Sequence, residues 1–178
     1  YIGSSSMSEV LLNQGRINLH THTDTITVEL ANAATNFLDY SVQGILKTDG
    51  TIKAYFPLEV IGGSYYIIVK HRNTIETWSA NPILISLVTP YDFSTSANKA
   101  YGDNQKEVEP GVFAFFSGDI NQDGYIDGFD YPAYDSDVQN NVSGVYVNTD
   151  LNGDGYVDGF DYPLFDANSQ NNIAVSKP

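Results

Sequence analysis

The segment Asp119-Ile-Asn-Gln-Asp-Gly-Tyr-Ile-Asp-Gly-Phe-Asp130 returns 31 residues later as Asp150-Leu-Asn-Gly-Asp-Gly-Tyr-Val-Asp-Gly-Phe-Asp161. Nine of the twelve positions are identical in the two copies. In both, positions 1, 3, 5, 7, 9 and 12 are Asp, Asn, Asp, Tyr, Asp and Asp. Position 6 is glycine, which suits a sharp turn with positive φ. The repeat predicts two copies of one small structural unit.

These six positions are the ones from which a twelve-residue loop supplies oxygen ligands to calcium. A hard divalent cation takes six to eight oxygens at roughly 2.3–2.6 Å, and position 7 contributes its backbone carbonyl. Magnesium prefers octahedral geometry with retained waters, so it fits such a loop less well. We predict two bound Ca²⁺ ions. The predicted ligands are Asp119, Asn121, Asp123, Tyr125, Asp127 and Asp130 in loop 1 (residues 119–130), and Asp150, Asn152, Asp154, Tyr156, Asp158 and Asp161 in loop 2 (residues 150–161).

The residues that flank each loop predict a helix after it and none before it. An aromatic run with Pro110 and Gly111 precedes loop 1, which favours a strand. Pro132 and Pro163 follow the loops at positions that the first turn of a helix tolerates. Each exit helix is expected to last about two turns.

Apolar residues inside and after the loops are expected to form a small core. Position 8 of each loop, Ile126 and Val157, is expected to face its counterpart through a short antiparallel contact. Aromatic side chains are expected to fill the space between the exit helices. They are Phe129, Tyr134, Phe160 and Phe165.

A loop followed by a helix, duplicated in tandem without an entering helix, resembles the dockerin repeat of secreted bacterial proteins. The resemblance covers residues 119 to about 172 and depends on the ligand pattern. It implies a calcium module that docks to a cohesin-like receptor. Both copies here carry Gly-Phe-Asp-Tyr-Pro, whereas typical dockerins have paired recognition residues near the loop end.

Before the loops, short apolar runs with the period of two that is typical of strands follow one another. Examples lie at residues 25–30, 63–70 and 81–88, and turn signals such as Asp49-Gly50 separate them. Seven or so short strands at this spacing predict an antiparallel, immunoglobulin-like β-sandwich. The fold class is therefore mainly β.

The order of the runs at 65–73 (Tyr-Tyr-Ile-Ile-Val-Lys-His-Arg-Asn), 78–80 (Trp-Ser-Ala) and 91–95 (Tyr-Asp-Phe-Ser-Thr) looks like a known β-module. That module is found at the C-terminal ends of large secreted bacterial proteins, ahead of dockerin-type repeats. The resemblance implies placement and anchoring outside the cell rather than a known reaction.

Composition narrows the classes of partner. The net charge is −14 with eight Lys and Arg residues, which disfavours nucleic acid and anionic membrane surfaces. No apolar run approaches the twenty or so residues of a membrane span. Cysteine is absent, so disulfides are excluded and calcium is expected to stabilise the fold instead. Loops of this charge fill readily at the millimolar calcium found outside cells, so we expect an extracellular protein.

The first residues allow two interpretations. Tyr1 is not an initiator Met, which favours a processed piece of a longer precursor. The apolar run Val10-Leu11-Leu12 is either a first strand of its own sandwich or a strand added to the sheet of a neighbouring copy.

Other candidate sites have simpler explanations. His20, His22 and Asp24 share one strand face at a spacing that suits a transition metal, but a polar, exposed strand explains them as well. No grouped motif for catalysis occurs, so we expect no enzyme. A sugar-stacking face is a further interpretation, against the expectation that aromatics fill the core. Its candidates are Tyr65, Tyr66, Trp78, Tyr91 and Phe93.

We therefore expect an immunoglobulin-like β-sandwich at residues 1–117 and a dockerin-like calcium module at residues 118–178. The leading functional prediction is a non-enzymatic structural or adhesive module of a bacterial cell surface, assembling head to tail with copies of itself. Docking to a cohesin-like receptor and carbohydrate binding are the alternatives.

Overall fold

The computed structural model describes residues 6–9 and 21–178, and it is mainly β, as predicted. All strand pairs are antiparallel. None of the described helices is long and apolar enough to cross a membrane. The strands are β1 (His22–Asn32), β2 (Leu38–Lys47), β3 (Ser64–Lys70), β4 (Thr77–Trp78), β5 (Ile83–Leu84), β6 (Lys106–Glu109), β7 (Val112–Ala114), β8 (Tyr125–Ile126) and β9 (Ile173–Ala174), and the helices are α1 (Tyr131–Gln139) and α2 (Tyr162–Ser169).

The main sheet has the order β2-β1-β3-β4, with β5 paired to the start of β3. The alternation in β1 turns Ile26, Val28 and Leu30 toward one face, where they form the largest core cluster with residues of β3. The opposite face buries Ala31 and Ile68 against Trp78. The two central strands are therefore covered on both sides.

Extended segments, rather than a second large sheet, cover the first face among the residues described between 21 and 117. Ile52, Ala54 and Phe56 pack on the core from a segment without strand pairing, where the sequence suggested a strand after Asp49-Gly50. The run expected at 81–88 pairs as a strand at β5 alone. It stops there because Ser86 and Thr89 close a turn through their hydroxyl groups.

The chain enters loop 1 beside residues 73–75. Ile75 N donates to Phe116 O (2.9 Å), and Gly118 N donates to Asn73 O (2.8 Å). Ile75 is fully buried and packs with Ile126 and Phe165 of the C-terminal part. Apolar and polar contacts therefore cross the position, between residues 117 and 118, at which the sequence patterns change.

Each loop pairs with the segment that follows the helix of the other repeat. β8 of loop 1 pairs with β9, which follows α2. Tyr156 of loop 2 forms a bridge with Ser143, which follows α1. The expected contact between Ile126 and Val157 is therefore wrong, because Ile126 pairs with Ile173 after α2 and Val157 N donates to Val142 O (3.0 Å) after α1.

The expected core between the exit helices is half right. Tyr134 and Phe165 are buried, as predicted. Phe129 and Phe160 are 79% and 77% exposed, so their predicted place in the core is wrong. The reason is local. The N–H of each donates to the carboxylate at position 9, and this turn carries the ring outward.

The contact of Ile75 with the C-terminal part predicts a large effect of truncating it. Ile75→Ala should lower the free energy of unfolding by about 2–5 kcal/mol, because it leaves a cavity between sheet and loops. Urea unfolding followed by tryptophan fluorescence measures the change. Ile45→Ala, at a side chain that is 40% exposed in β2, is the matched control and should cost much less. Equal effects of the two substitutions would contradict the packing described here.

Candidate metal centre

Each loop places its first and last ligand positions at the bottom of the turn and its middle positions at the surface. Asp119, Asp130, Asp150 and Asp161 are at most 2% exposed. Glycine at position 6 has φ of 90° in loop 1 and 89° in loop 2, which is the left-handed conformation expected there.

Side-chain oxygens at positions 3, 5 and 9 each accept the backbone N–H two residues on. In loop 1 these bonds join Asn121 to Asp123 N (2.9 Å), Asp123 to Tyr125 N (3.0 Å) and Asp127 to Phe129 N (2.8 Å). Loop 2 repeats all three bonds. Such turns curl the backbone around the side-chain oxygens. The same local chemistry therefore builds both loops.

The aspartate at position 12 ties the beginning and end of its loop together. Asp130 Oδ1 accepts N–H bonds from Ile120 (2.7 Å) and Asn121 (3.0 Å), and Oδ2 accepts one from Asp127 (3.0 Å). Asp161 makes the equivalent three bonds in loop 2. Burial raises the pKa of both carboxyl groups, although these hydrogen bonds oppose the rise.

Position 1 differs between the loops. Asp150 Oδ1 accepts from Gly153 N (2.7 Å) and Oδ2 accepts from Gly155 N (2.9 Å). Asp119 Oδ1 is buried and has no hydrogen-bond partner. Burial, followed by repulsion from Asp130, raises the pKa of Asp119 to about 6, although the backbone N–H groups of Gly124 and Gln122 act to lower it.

Within residues 6–9 and 21–178, no three Asp, Glu or His side chains form a ready-made shell around one point. The carboxylates at positions 1, 5 and 12 of loop 1 are nevertheless close neighbours, since Asp130 and Asp123 both raise the pKa of Asp119 by repulsion. Several of their oxygens already accept hydrogen bonds from backbone N–H groups of the loop. Calcium ligation by the twelve predicted residues therefore stays a prediction.

The donor set fits calcium on two counts. A buried carboxylate oxygen without a donor is costly unless a cation lies beside it, and Asp119 Oδ1 is such an atom. The remaining predicted ligands are carboxylate, amide and backbone oxygens, which calcium prefers.

The sequence predicted no site at His71, Arg72 and Asn73, which end the run at 65–73. Arg72 bonds to the buried carboxylate of Asp24 through Nη1, and its Nε donates to Val147 O (3.0 Å). The run of three polar residues directly after a buried strand was the available signal. These contacts join the ends of β1 and β3 to the segment before loop 2.

Burial lowers the pKa of His71, which favours its neutral ring. Its Nδ1–H donates to Asn73 Oδ1 (2.8 Å), and its Nε2 lies 3.0 Å from both Arg72 Nη1 and Asp24 Oδ2. Asp24 is engaged with Arg72, and His20 lies outside the described residues. Asp24 is therefore part of a buried polar junction with His71 and Arg72, and not of the exposed strand that the sequence suggested.

The aromatics considered for sugar stacking largely contact one another. Tyr65 and Trp78 are buried. Phe93 packs edge-on against Tyr91 and Phe115, with ring centroids 4.8 and 5.3 Å apart. This agrees with the expectation that aromatic residues fill the core.

No protein-family model, curated protein or solved structure matches this chain. Its function is consequently argued from the geometry of the loops, the junction at residues 71–73 and the exposed surfaces.

The unpartnered oxygen of Asp119 predicts opposite effects of one substitution in two conditions. Asp119→Asn removes a buried charge, so the melting temperature without calcium should stay level or rise. It also removes a ligand charge, so calcium affinity of loop 1 should fall by at least about tenfold. Calorimetric titration and melting curves in calcium or EGTA measure both effects.

Asp135→Asn is the matched control, because Asp135 lies in α1 outside both loops. It should leave two sites of unchanged affinity. Two undiminished sites in Asp119→Asn would show that Asp119 is not a ligand.

Proposed function

We propose that this chain is a non-enzymatic, calcium-stabilised structural module that works outside the cell and associates with other copies of itself. The observation that carries the calcium part is the duplicated loop with a buried carboxylate at both position 1 and position 12, and an unpartnered oxygen on Asp119. Two divalent ions offset these charges directly.

The composition supports a role of calcium in stabilising the fold. The chain has no cysteine, a net charge of −14 and two helices of nine and eight residues after the loops. Such short helices are marginal without tertiary support. Metal that binds the folded state alone adds its binding free energy to stability. Millimolar calcium outside a cell would keep the loops filled, which supports secretion.

The finer fold assignment belongs to the same proposal. We assign the described residues within 1–117 to a variant of the immunoglobulin-like sandwich in which extended segments replace much of the second sheet. Residues 118–178 are a dockerin-like pair of loop and helix units. The five-stranded antiparallel sheet and the helix after each loop support these assignments. A bacterial cell surface is the location that both resemblances imply.

An exposed apolar end of the sheet supports self-association. Phe37 lies in the turn between β1 and β2, and Leu84 lies opposite the first residue of β3. Both positions are at the end of the sheet opposite to Asp24 and residues 71–73, about 30 Å along β1. Exposed apolar patches of this kind mark interaction surfaces. The residues of the apolar end are Phe37, Leu58, Leu84, Leu87 and Val88.

Each loop also exposes two aromatic side chains. We call these four residues the aromatic surface: Tyr125 and Phe129 in loop 1, and Tyr156 and Phe160 in loop 2. The aromatic surface and the apolar end are different patches on different parts of the molecule. Contact between unlike patches of two copies is heterologous, so it builds a ring where the rotation closes and a filament where it does not. Head-to-tail assembly follows, with calcium ordering the loops that carry the aromatic surface.

One observation favours the docking alternative. Phe129 and Phe160 occupy the same position of the two loops, are not predicted ligands and project into solvent. They are suited to contact a cohesin-like receptor. The carbohydrate alternative has no comparable support, because the aromatics considered for it pack against each other. From the charge and the hydropathy, we still expect that the protein neither binds nucleic acid nor inserts into a membrane.

Self-association predicts a molar mass that depends on both calcium and concentration. Light scattering should show growth of the average mass with protein concentration in calcium, and a monomer in EGTA. Leu87→Asp places a charge in the apolar end, so it should shift the association to at least about tenfold higher concentration while two calcium ions still bind.

Thr95→Asp, at an exposed position outside both surfaces, is the charge-matched control and should associate like the unaltered protein. A monomer at every concentration in both conditions would reject self-association and leave calcium stabilisation standing. Phe160→Asp separates the alternatives further, because in the docking alternative it abolishes receptor binding without changing the mass of the isolated chain.

A further inference from the structure

Asn73 contacts the chain at the beginning of both loops. Its backbone oxygen accepts the N–H of Gly118 (2.8 Å), the residue directly before Asp119. Its side-chain Nδ2 donates to the backbone oxygen of Asp150 (2.9 Å), position 1 of loop 2. Asn73, 77 positions away from Asp150, therefore contacts the residue directly before the first ligand position of loop 1 and the first ligand position of loop 2.

The orientation of this residue is set by its neighbours. Asn73 is 4% exposed, and its side-chain oxygen accepts a bond from His71 Nδ1 (2.8 Å). Arg72, next in the turn, is held by Asp24 and by the backbone oxygen of Val147. The side-chain amide of Asn73 consequently faces Asp150 with its donor, while its acceptor is already used. A carboxylate of the same shape would face that carbonyl without a donor.

We propose that Asn73 couples the two calcium sites, so that filling one loop raises the calcium affinity of the other. This proposal depends on the proposed calcium binding. An ion in loop 1 orders Asp119 and Gly118, and thereby the backbone of Asn73. The side chain of Asn73 then holds Asp150 in place before the second ion arrives, so less conformational entropy is lost in loop 2. The effect is reciprocal, as linkage requires.

A second polar contact between the repeats provides a comparison. Tyr134, in α1, donates its hydroxyl hydrogen to the backbone oxygen of Asp158 in loop 2 (2.7 Å). It reaches one loop from a helix that directly follows the other, but it touches neither first ligand position. Asn73 touches both starting points, so its loss should affect the coupling more strongly.

The test is a calcium titration by calorimetry on proteins with one or two working loops. Asp123→Ala disables loop 1 and Asp154→Ala disables loop 2, each at an exposed position 5. The overall two-ion binding constant of the intact protein, divided by the product of the two single-loop constants, gives the coupling factor. We expect a factor of at least about five with Asn73 present. In the Asn73→Asp background the factor should fall to within about twofold of one.

A purely structural role of Asn73 would lower every calcium affinity and the melting temperature but leave the coupling factor unchanged. Asn171→Asp is the matched control, since its amide donates within the end of α2, to Ala167 O, and joins no loops. Tyr134→Phe tests the other contact. Both should retain a factor near that of the unaltered protein.

Should Asn73→Asp fail to fold, the unaltered residue is followed instead by nuclear magnetic resonance. In Asp123→Ala, calcium enters loop 2 alone, and the Gly118 amide proton should shift because it bonds to Asn73. A stationary Gly118 signal overturns the proposal. So does a coupling factor of one in the intact protein, which leaves calcium binding intact, or a factor that Asn73→Asp does not change. Absence of any calcium binding instead rejects the proposed function.

Discussion

The conformation of the C-terminal part depends on the groups that compensate its buried carboxylates. Asp130 and Asp161 are fully buried and each accepts three backbone N–H bonds, which fold the loop back on its own beginning. Burial still raises their pKa, so the amide hydrogens compensate in part. Asp119 has one oxygen without any donor. The amides thus set the loop conformation and leave part of the buried negative charge without a partner.

Contacts between each loop and the helix of the other repeat explain why the loops occur as a pair. Ile126 of loop 1 is buried with Phe165 of α2, and Val157 of loop 2 is buried with Tyr134 of α1. β8 likewise pairs with the strand that follows the second helix. A single loop and its own helix would leave these apolar surfaces in water. Neither repeat therefore has a complete core alone, and the cooperative unit is the pair.

Local sequence signals were sufficient for the features that are local in the structure. Pro132 and Pro163 do lie in the first turn of their helices, and the helices end at the Asn-rich segments. The mainly β class follows from the period of two in the first part. The outward rings of Phe129 and Phe160 and the pairing of Ile126 with Ile173 were missed. An apolar residue in the sequence does not reveal which distant segment covers it, since that choice is made by tertiary contacts.

The junction at residues 71–75 also changes what the boundary near residue 117 means. Composition shifts there, yet Ile75 completes an apolar cluster of the C-terminal part and Asn73 holds the start of both loops. Both residues follow the end of β3, and each face of this strand packs on a buried core. Short, buried contacts therefore join the loops to the end of β3 directly. The sheet in turn restricts the loops, so under the proposed calcium binding part of the ordering cost is met when the sheet folds.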